Sequence, residues 1–315
     1  MTDNQHIGLL RVAKSSWLYP IYVPSYSRAG KAPFLELMKT APRSVQRLIH
    51  IVVRTEDQRE YREAYPWAYV VVRESIPGIG PARMRCLIDA ERRGYKRIVV
   101  VDDDIHRITL LQRVVRPGRP DYAQRYSSSL SGYPKDMSNV RSLAVACKLA
   151  DQVFELRPDA AYGAARNALF SGPVADPRHG AYLNKQSFPA CVMFIDVERF
   201  SMRKMPKPFH FHGEDLAMFL HTMECGQRAF QLPAVAYDQQ GFLKTTIPLD
   251  PLDPVGRPHL NDTPRFYPNI HPYLRVSMRN KLGGVMRIGM LWARYYKDTQ
   301  TGPDIIPMTE LIDNI

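Results

Sequence analysis

The stretch Arg97-Ile-Val-Val-Val-Asp-Asp-Asp-Ile105 carries the chain's clearest chemical signal. An apolar run leads into three consecutive carboxylates, Asp102, Asp103 and Asp104. A short unbroken run of this kind reads as a strand buried on both faces, as in parallel sheets. Ligands of open α/β sheets sit outside the carboxyl ends of the strands, and the acids stand at that end. Side chains alternate across a strand, so Asp102 and Asp104 are expected on one side and Asp103 on the other. Converging carboxylates repel each other unless something positive lies between them. A hard divalent cation held through oxygen, Mn2+ or Mg2+, is the natural occupant, and it would in turn hold a diphosphate. The plainer reading is that three acids end a strand and cap the next helix.

Two more stretches are expected at the same edge. Val23-Pro-Ser-Tyr-Ser-Arg-Ala-Gly30 follows a first strand, and Gly78-Ile-Gly-Pro-Ala-Arg-Met-Arg85 opens the helix before the acids. Arg28 and Arg83 suit phosphate oxygens, and the ring of Tyr26 can stack on a base. Gly80 and its neighbour glycine let backbone approach a ligand. The glycine pattern does not match the dinucleotide fingerprint, and the chain has no Walker motif. Further on, Gly213-Glu-Asp215 precedes an apolar run. Glu214 and Asp215 there would cap a helix, serve as a base, or both.

The elements that must position these residues alternate. Strands are expected at Leu18–Val23, Leu48–Val53 and Ala68–Val72, then at the acid-tipped run. Helices are expected at Pro33–Thr40, through Tyr61 and Tyr65, and over Pro81–Arg93 with Gly94 ending it. This order describes a βαβ series and a mostly parallel α/β sheet. A helix over Val140–Leu156, a strand at Ala190–Ile195, a helix beyond Asp215 and a strand at Phe230–Tyr237 continue it. Seven prolines between Ile247 and Tyr273 mark a long loop, lid or linker. Met278–Lys297 reads as a basic helix whose start Gly283 and Gly284 weaken, docked on the body or facing DNA.

The chain has 315 residues, 45% hydrophobic, enough for a proper core. Lys and Arg number 43 against 31 Asp and Glu, a formal charge of +12. That balance favours a polyanionic partner, nucleic acid first and an anionic membrane second, against an ordinary basic enzyme. Residues 112–139 interleave Arg113, Arg116, Arg119 and Arg125 with Tyr122, Tyr126 and Tyr133. Such a segment is either a solvated loop or a nucleic-acid contact. Cys86, Cys147, Cys191 and Cys225 form no CxxC pair and read as thiols of a reducing compartment. With no membrane-length apolar run and no leader at the first residues, the expectation is a cytoplasmic protein that contacts no membrane.

Pro-Ser-Tyr-Ser-Arg, the Ala-Arg-x-Arg helix start and the Asp-Asp-Asp strand end resemble the nucleotide-sugar half of a GT-A-fold glycosyltransferase with its DXD motif. Gly213-Glu-Asp215 resembles that fold's acceptor-side acidic element. The N-terminal half is similar, more narrowly, to the TET-associated glycosyltransferases of bacteriophages. The resemblance implies a Rossmann-like GT-A domain over residues 1–240, with a nucleotide-sugar half at about 18–110 and an acceptor half at 111–240. Residues 241–315 would add a proline-rich loop and a basic C-terminal helix. It implies metal-dependent transfer of a sugar from a UDP-sugar donor to 5-hydroxymethylpyrimidines, such as 5-hydroxymethylcytosine, in DNA. By position, Asp104 would ligand the cation and Asp102 the ion or the ribose, while Asp103 would orient the nucleotide. Arg83 would reach the diphosphate or sugar. Pro24, Tyr26 and Arg54 would border uracil and ribose. Asp215, with Glu214 beside it, would take the acceptor's proton. His210, His212, His259 and His271 are open candidates for a further metal ligand. Direct attack aided by one base would invert the anomeric centre, and the residues also allow a retaining course. A protein, polysaccharide or lipid acceptor, a nucleotidyltransferase, and a nucleic-acid-binding protein with a relict crevice are the competing readings.

Overall fold

The computed structural model describes residues 19–75, 78–110, 135–167, 179–183, 190–200, 214–239, 274–279, 285–290, 292–299 and 304–313. The proline-rich segment, most of the Arg–Tyr segment and all four candidate histidines lie outside these residues.

The expected β-α alternation is present. Strands β1 (Ile21–Pro24), β2 (Ile49–Arg54), β3 (Tyr69–Arg73) and β4 (Arg97–Val101) lie side by side in the order β3-β2-β1-β4, all parallel. Between them run helices α1 (Pro33–Met38), α2 (Arg43–Gln46), α3 (Gln58–Ala64) and α4 (Ile79–Arg92). Pro33 starts α1, where its missing N–H costs nothing. Gly94 ends the turn after α4 at φ 70, left-handed geometry that favours glycine.

Beyond the acids the sheet becomes mixed. β8 (Val192–Asp196) pairs antiparallel with β4 and with β6 (Ala160–Asn167). β6 runs parallel to β9 (Arg228–Gln239), which also takes β5 (Ile105–Leu110) and β7 (His179–Leu183) antiparallel. The outermost strand, β12 (Asp304–Pro307), brings the C-terminal segment back onto β7. Helices α5 (Lys135–Leu156) and α6 (Glu214–Glu224) flank this half.

Strand alternation sorts the core into two layers. Ile21, Val23, Ile51, Val99 and Val101 face a cluster with Phe34, Leu143, Cys147 and Phe154. Tyr22, Val52, Ile98 and Val100 face the other, with Cys86, Leu87, Met218 and Phe219. Each apolar residue of β4 is thus sealed, worth roughly 1.5–3 kcal/mol relative to exposure. That double-sided burial explains the unbroken valine run.

One expectation needs correction. β10 (Leu274–Arg279) pairs antiparallel with β11 (Val285–Met290), and among the described residues of the expected helix only those from Trp292 on are helical, in α7 (Trp292–Thr299), ahead of the last helix, α8 (Met308–Asp313). Leu-Arg-Val-Ser-Met-Arg alternates with period two, and Gly283-Gly284 falls between the paired strands. No helix among the described residues is long and apolar enough to cross a membrane. All four cysteines are free thiols.

Candidate active site

The chain leaves β4 at Val101 and turns at once. The Ile105 N–H donates to the Asp102 carbonyl at 3.3 Å, so the acids occupy a tight turn rather than a strand. The expected two-sided alternation therefore does not hold. Each carboxylate instead meets a different element.

Asp102 faces α4. Arg83 Nη2 donates to its Oδ1 at 2.8 Å and its Oδ2 at 3.0 Å, and the Arg83 side chain is only 4% exposed. Asp103 faces the loop after β1. Arg28 Nη1 donates to Oδ1 at 2.6 Å and the Ser25 hydroxyl to Oδ2 at 2.5 Å. With its proton so used, Ser25 accepts from Tyr61 at 2.6 Å, and the Tyr61 oxygen accepts the Arg28 N–H at 2.9 Å. Burial raises the Asp103 carboxyl to about 6 even though Arg28 and Ser25 favour its charge. Asp104 faces β9. Gln239 Nε2 donates to its Oδ2 at 2.9 Å, while its Oδ1 is buried with no hydrogen-bond partner among the described residues. Burial, and then the neighbouring charge of Asp102, raise the Asp104 carboxyl above the usual carboxylate range.

The three stretches do converge on one edge of the sheet, and both arginines expected to meet phosphate also hold aspartates. Arg83 fixes Asp102 and Arg28 fixes Asp103. No group of three or more His, Cys, Asp or Glu close enough to cage an ion exists among the described residues. The orphaned Asp104 oxygen is the feature that fits a cation. A buried carboxylate oxygen without a donor is costly, and a hard divalent ion satisfies it. Asp104, with Asp102 in electrostatic contact, would hold that ion.

The residues expected to border a nucleoside lie on and beside β1 and β2. Pro24 is buried at the end of β1, and Tyr26 follows it half-buried. The guanidinium of Arg54, 1% exposed, stacks 4.1 Å from the centre of the Tyr26 ring. Arg54 is in register with Arg73 on β3. Burial and then Arg54 lower Arg73 to about 10, and Glu56 lies 3.9 Å from Arg54 Nη1. Gly80 is buried in the first turn of α4, behind Gly78 at φ 96.

Asp215, half-buried, lies in the first turn of α6, whose first residue is Glu214. The Cys191 thiol, raised chiefly by burial, is raised further by the charges of Asp102 and Asp215. Both acids therefore lie within electrostatic reach of one thiol. Cys191 also accepts the Asp102 N–H through its carbonyl at 2.8 Å. The loop after β1, the start of α4 and the end of β9 thus meet the three acids at one edge of the sheet.

Ser25, Tyr61 and Gln239 are the side chains that sequence reading missed. Ser25 lies inside a stretch singled out for other residues. Gln239 had one signal, a polar tail on an apolar strand at its ligand-facing end.

A family model described as TET-associated glycosyltransferase matches residues 19–152, from the start of β1 through most of α5. No curated protein matches the chain. Among solved structures, the chain is similar to a mannosyltransferase from Pyrobaculum calidifontis in complex with GDP-Man and Mn2+, at 16% identity and TM-score 0.39, covering 78% of this chain and 68% of that one. It is similar to S. aureus TarS 1-349 at 12% identity and TM-score 0.39, covering 71% and 60%. A CMP:2-keto-3-deoxy-manno-octonic acid synthetase complexed with CTP matches at 11% identity and TM-score 0.40, covering 69% and 89%. Likeness at this level carries no statement about chemistry.

Proposed function

We propose that this chain, a glycosyltransferase whose residues 19–152 match the TET-associated family, moves a sugar from a UDP-linked donor to a 5-hydroxymethylpyrimidine in DNA. The observation that carries the reading is the buried Oδ1 of Asp104, without a hydrogen-bond partner among the described residues and set just beyond β4 beside two arginine-fixed aspartates. Asp104 and Asp102 would hold Mn2+ or Mg2+, which when bound supplies positive charge to the departing diphosphate.

The chain's own residues do the rest. Pro24, Tyr26 and Arg54 border the base and ribose, with the open part of the Tyr26 ring available for stacking. Asp103, locked by Arg28 and Ser25, holds the β1 loop that presents them. Asp215, with Glu214 next to it, accepts the proton of the acceptor hydroxymethyl group as its oxygen attacks the anomeric carbon. A primary hydroxyl is a poor nucleophile without such a base. The new C–O bond forms as the bond to UDP breaks, UDP leaves with the electron pair, and direct displacement inverts the anomeric centre.

The DNA acceptor rests on the +12 charge and on the Arg–Tyr segment at 112–139. A base stacked in a duplex is out of reach, so the target nucleotide would be flipped into the crevice. The test is mass analysis of hydroxymethylcytosine duplex, unmodified duplex, and protein and polysaccharide acceptors, each incubated with a panel of UDP-sugars and Mn2+. The expected result is one glycosyl increment on the hydroxymethylated DNA alone, declining steeply with salt. UDP release with no gain of mass on that DNA overturns the acceptor assignment.

A further inference from the structure

Gln239 is the last residue of β9, and β-pairing sets its Cα opposite Ile105, the residue after Asp104. From there its side chain reaches back one residue to the acid turn. Its Nε2 meets Asp104 Oδ2 at 2.9 Å and its Oε1 faces the Cys191 thiol at 3.8 Å. The amide has one satisfactory orientation here. Turned over, its oxygen would oppose the carboxylate and its NH2 the thiol proton.

Cys191 is itself held in an unusual way. Its φ is +61, a left-handed conformation that side-chain-bearing residues rarely adopt. That kink lets its carbonyl receive the Asp102 N–H while its thiol faces Gln239. The ends of β8 and β9 therefore grip both acids that flank Asp103. Asp102 is gripped through its backbone and Asp104 through its side chain. Asp104 is 8% exposed.

We propose that Gln239 is the positioning residue of the site: by taking Oδ2 of Asp104 it fixes the carboxylate so that Oδ1 is the oxygen offered to the cation. The inference rests on the reading of Asp104 as a metal ligand. Groups that orient a ligand from behind commonly change metal affinity ten- to a hundredfold when removed.

The test is direct Mn2+ binding, read from the free-ion electron paramagnetic resonance signal in the presence of UDP, with no acceptor and no turnover. Gln239→Met keeps side-chain length and removes the donor. It is expected to weaken Mn2+ binding about ten- to a hundredfold. Gln239→Asn keeps the amide one methylene short of Asp104 and is expected to weaken it similarly. If Gln239→Met does not fold, Gln239→Asn alone decides. Mn2+ binding within twofold of the unaltered chain in a folded variant overturns the proposal. Asp104→Asn separates this from the reading beneath it. If Asp104→Asn abolishes Mn2+ binding while the Gln239 variants bind normally, only the Gln239 role fails. If Asp104→Asn binds Mn2+ as the unaltered chain does, the metal-ligand reading fails and the proposal with it.

Discussion

Replacing Arg83 distinguishes an arginine that holds an aspartate from one that waits for phosphate. Its Nη2 reaches both oxygens of Asp102, and the two side chains are 4% and 16% exposed. Removing one partner of so dry a pair strands the other charge, at about 3–5 kcal/mol. The residual exposure of Asp102 places Arg83→Met near the lower end, at about 3 kcal/mol. Unfolding entropy of about 2.1 cal/mol/K per residue gives roughly 0.66 kcal/mol/K for the 315-residue chain. The melting temperature should then fall by roughly 4–5 °C if the chain unfolds as one unit. Arg83→Met with Asp102→Asn removes the stranded charge, so the double variant should recover about half the loss or more, a coupling of at least about 1.5 kcal/mol. The assay is a double-mutant cycle by urea and thermal unfolding. An Arg83→Met protein that melts within about 1 °C of the parent, or two losses that simply add, refutes the pairing argument. Such a result would return Arg83 to the diphosphate.

Two further outcomes concern the core. His50, 4% exposed, stacks on Tyr22 with ring centres 4.7 Å apart and is edged by Tyr69 and Tyr95, with Arg93 and Asp89 the charged groups nearby. Burial, and then Arg93, push it down from 6.5 to about 4, against a smaller opposite pull from Asp89. Its unfolded form gains a proton below pH 6.5 and its folded form does not. Stability is therefore full above pH 6.5 and falls as pH drops toward 4, by roughly 3 kcal/mol at about 1.36 kcal/mol per pH unit. His50→Phe should flatten that part of the urea-midpoint profile. Gly163 on β6 lies against the Phe230 ring, where a Cβ would overlap it. Gly163→Ala should cost about 1–3 kcal/mol by chemical unfolding, and Gly163→Ala with Phe230→Leu should recover part of it.

The parallel half of the fold was legible because burial on both faces writes itself into continuous apolar runs, as in Ile98–Val101. β5 was not read, because Ile-His-Arg-Ile-Thr-Leu begins with no break after the acids. β12 is four residues ending in Pro307, and only its partner β7, far away in sequence, makes it a strand. The β10–β11 pair was misread because Leu, Met and Arg are good helix formers and tertiary pairing overrode that preference. In the site, residue types gave Asp102, Asp103 and Asp104 but not their directions. Whether a strand ends one residue earlier or later decides which way a side chain faces. Ser25, Tyr61 and Gln239 act across separations of 36 to 135 residues. No local pattern reports such contacts.

The buried Oδ1 of Asp104 is expected to serve a cation bound to the donor's diphosphate. A crystal structure with UDP and Mn2+, using the metal's anomalous signal, tests it most directly. The expected map has the manganese peak bonded to Asp104 Oδ1, bridged to the diphosphate, with Arg83 still on Asp102. UDP bound in this crevice with no metal at Asp104, or manganese found elsewhere on the chain, contradicts it.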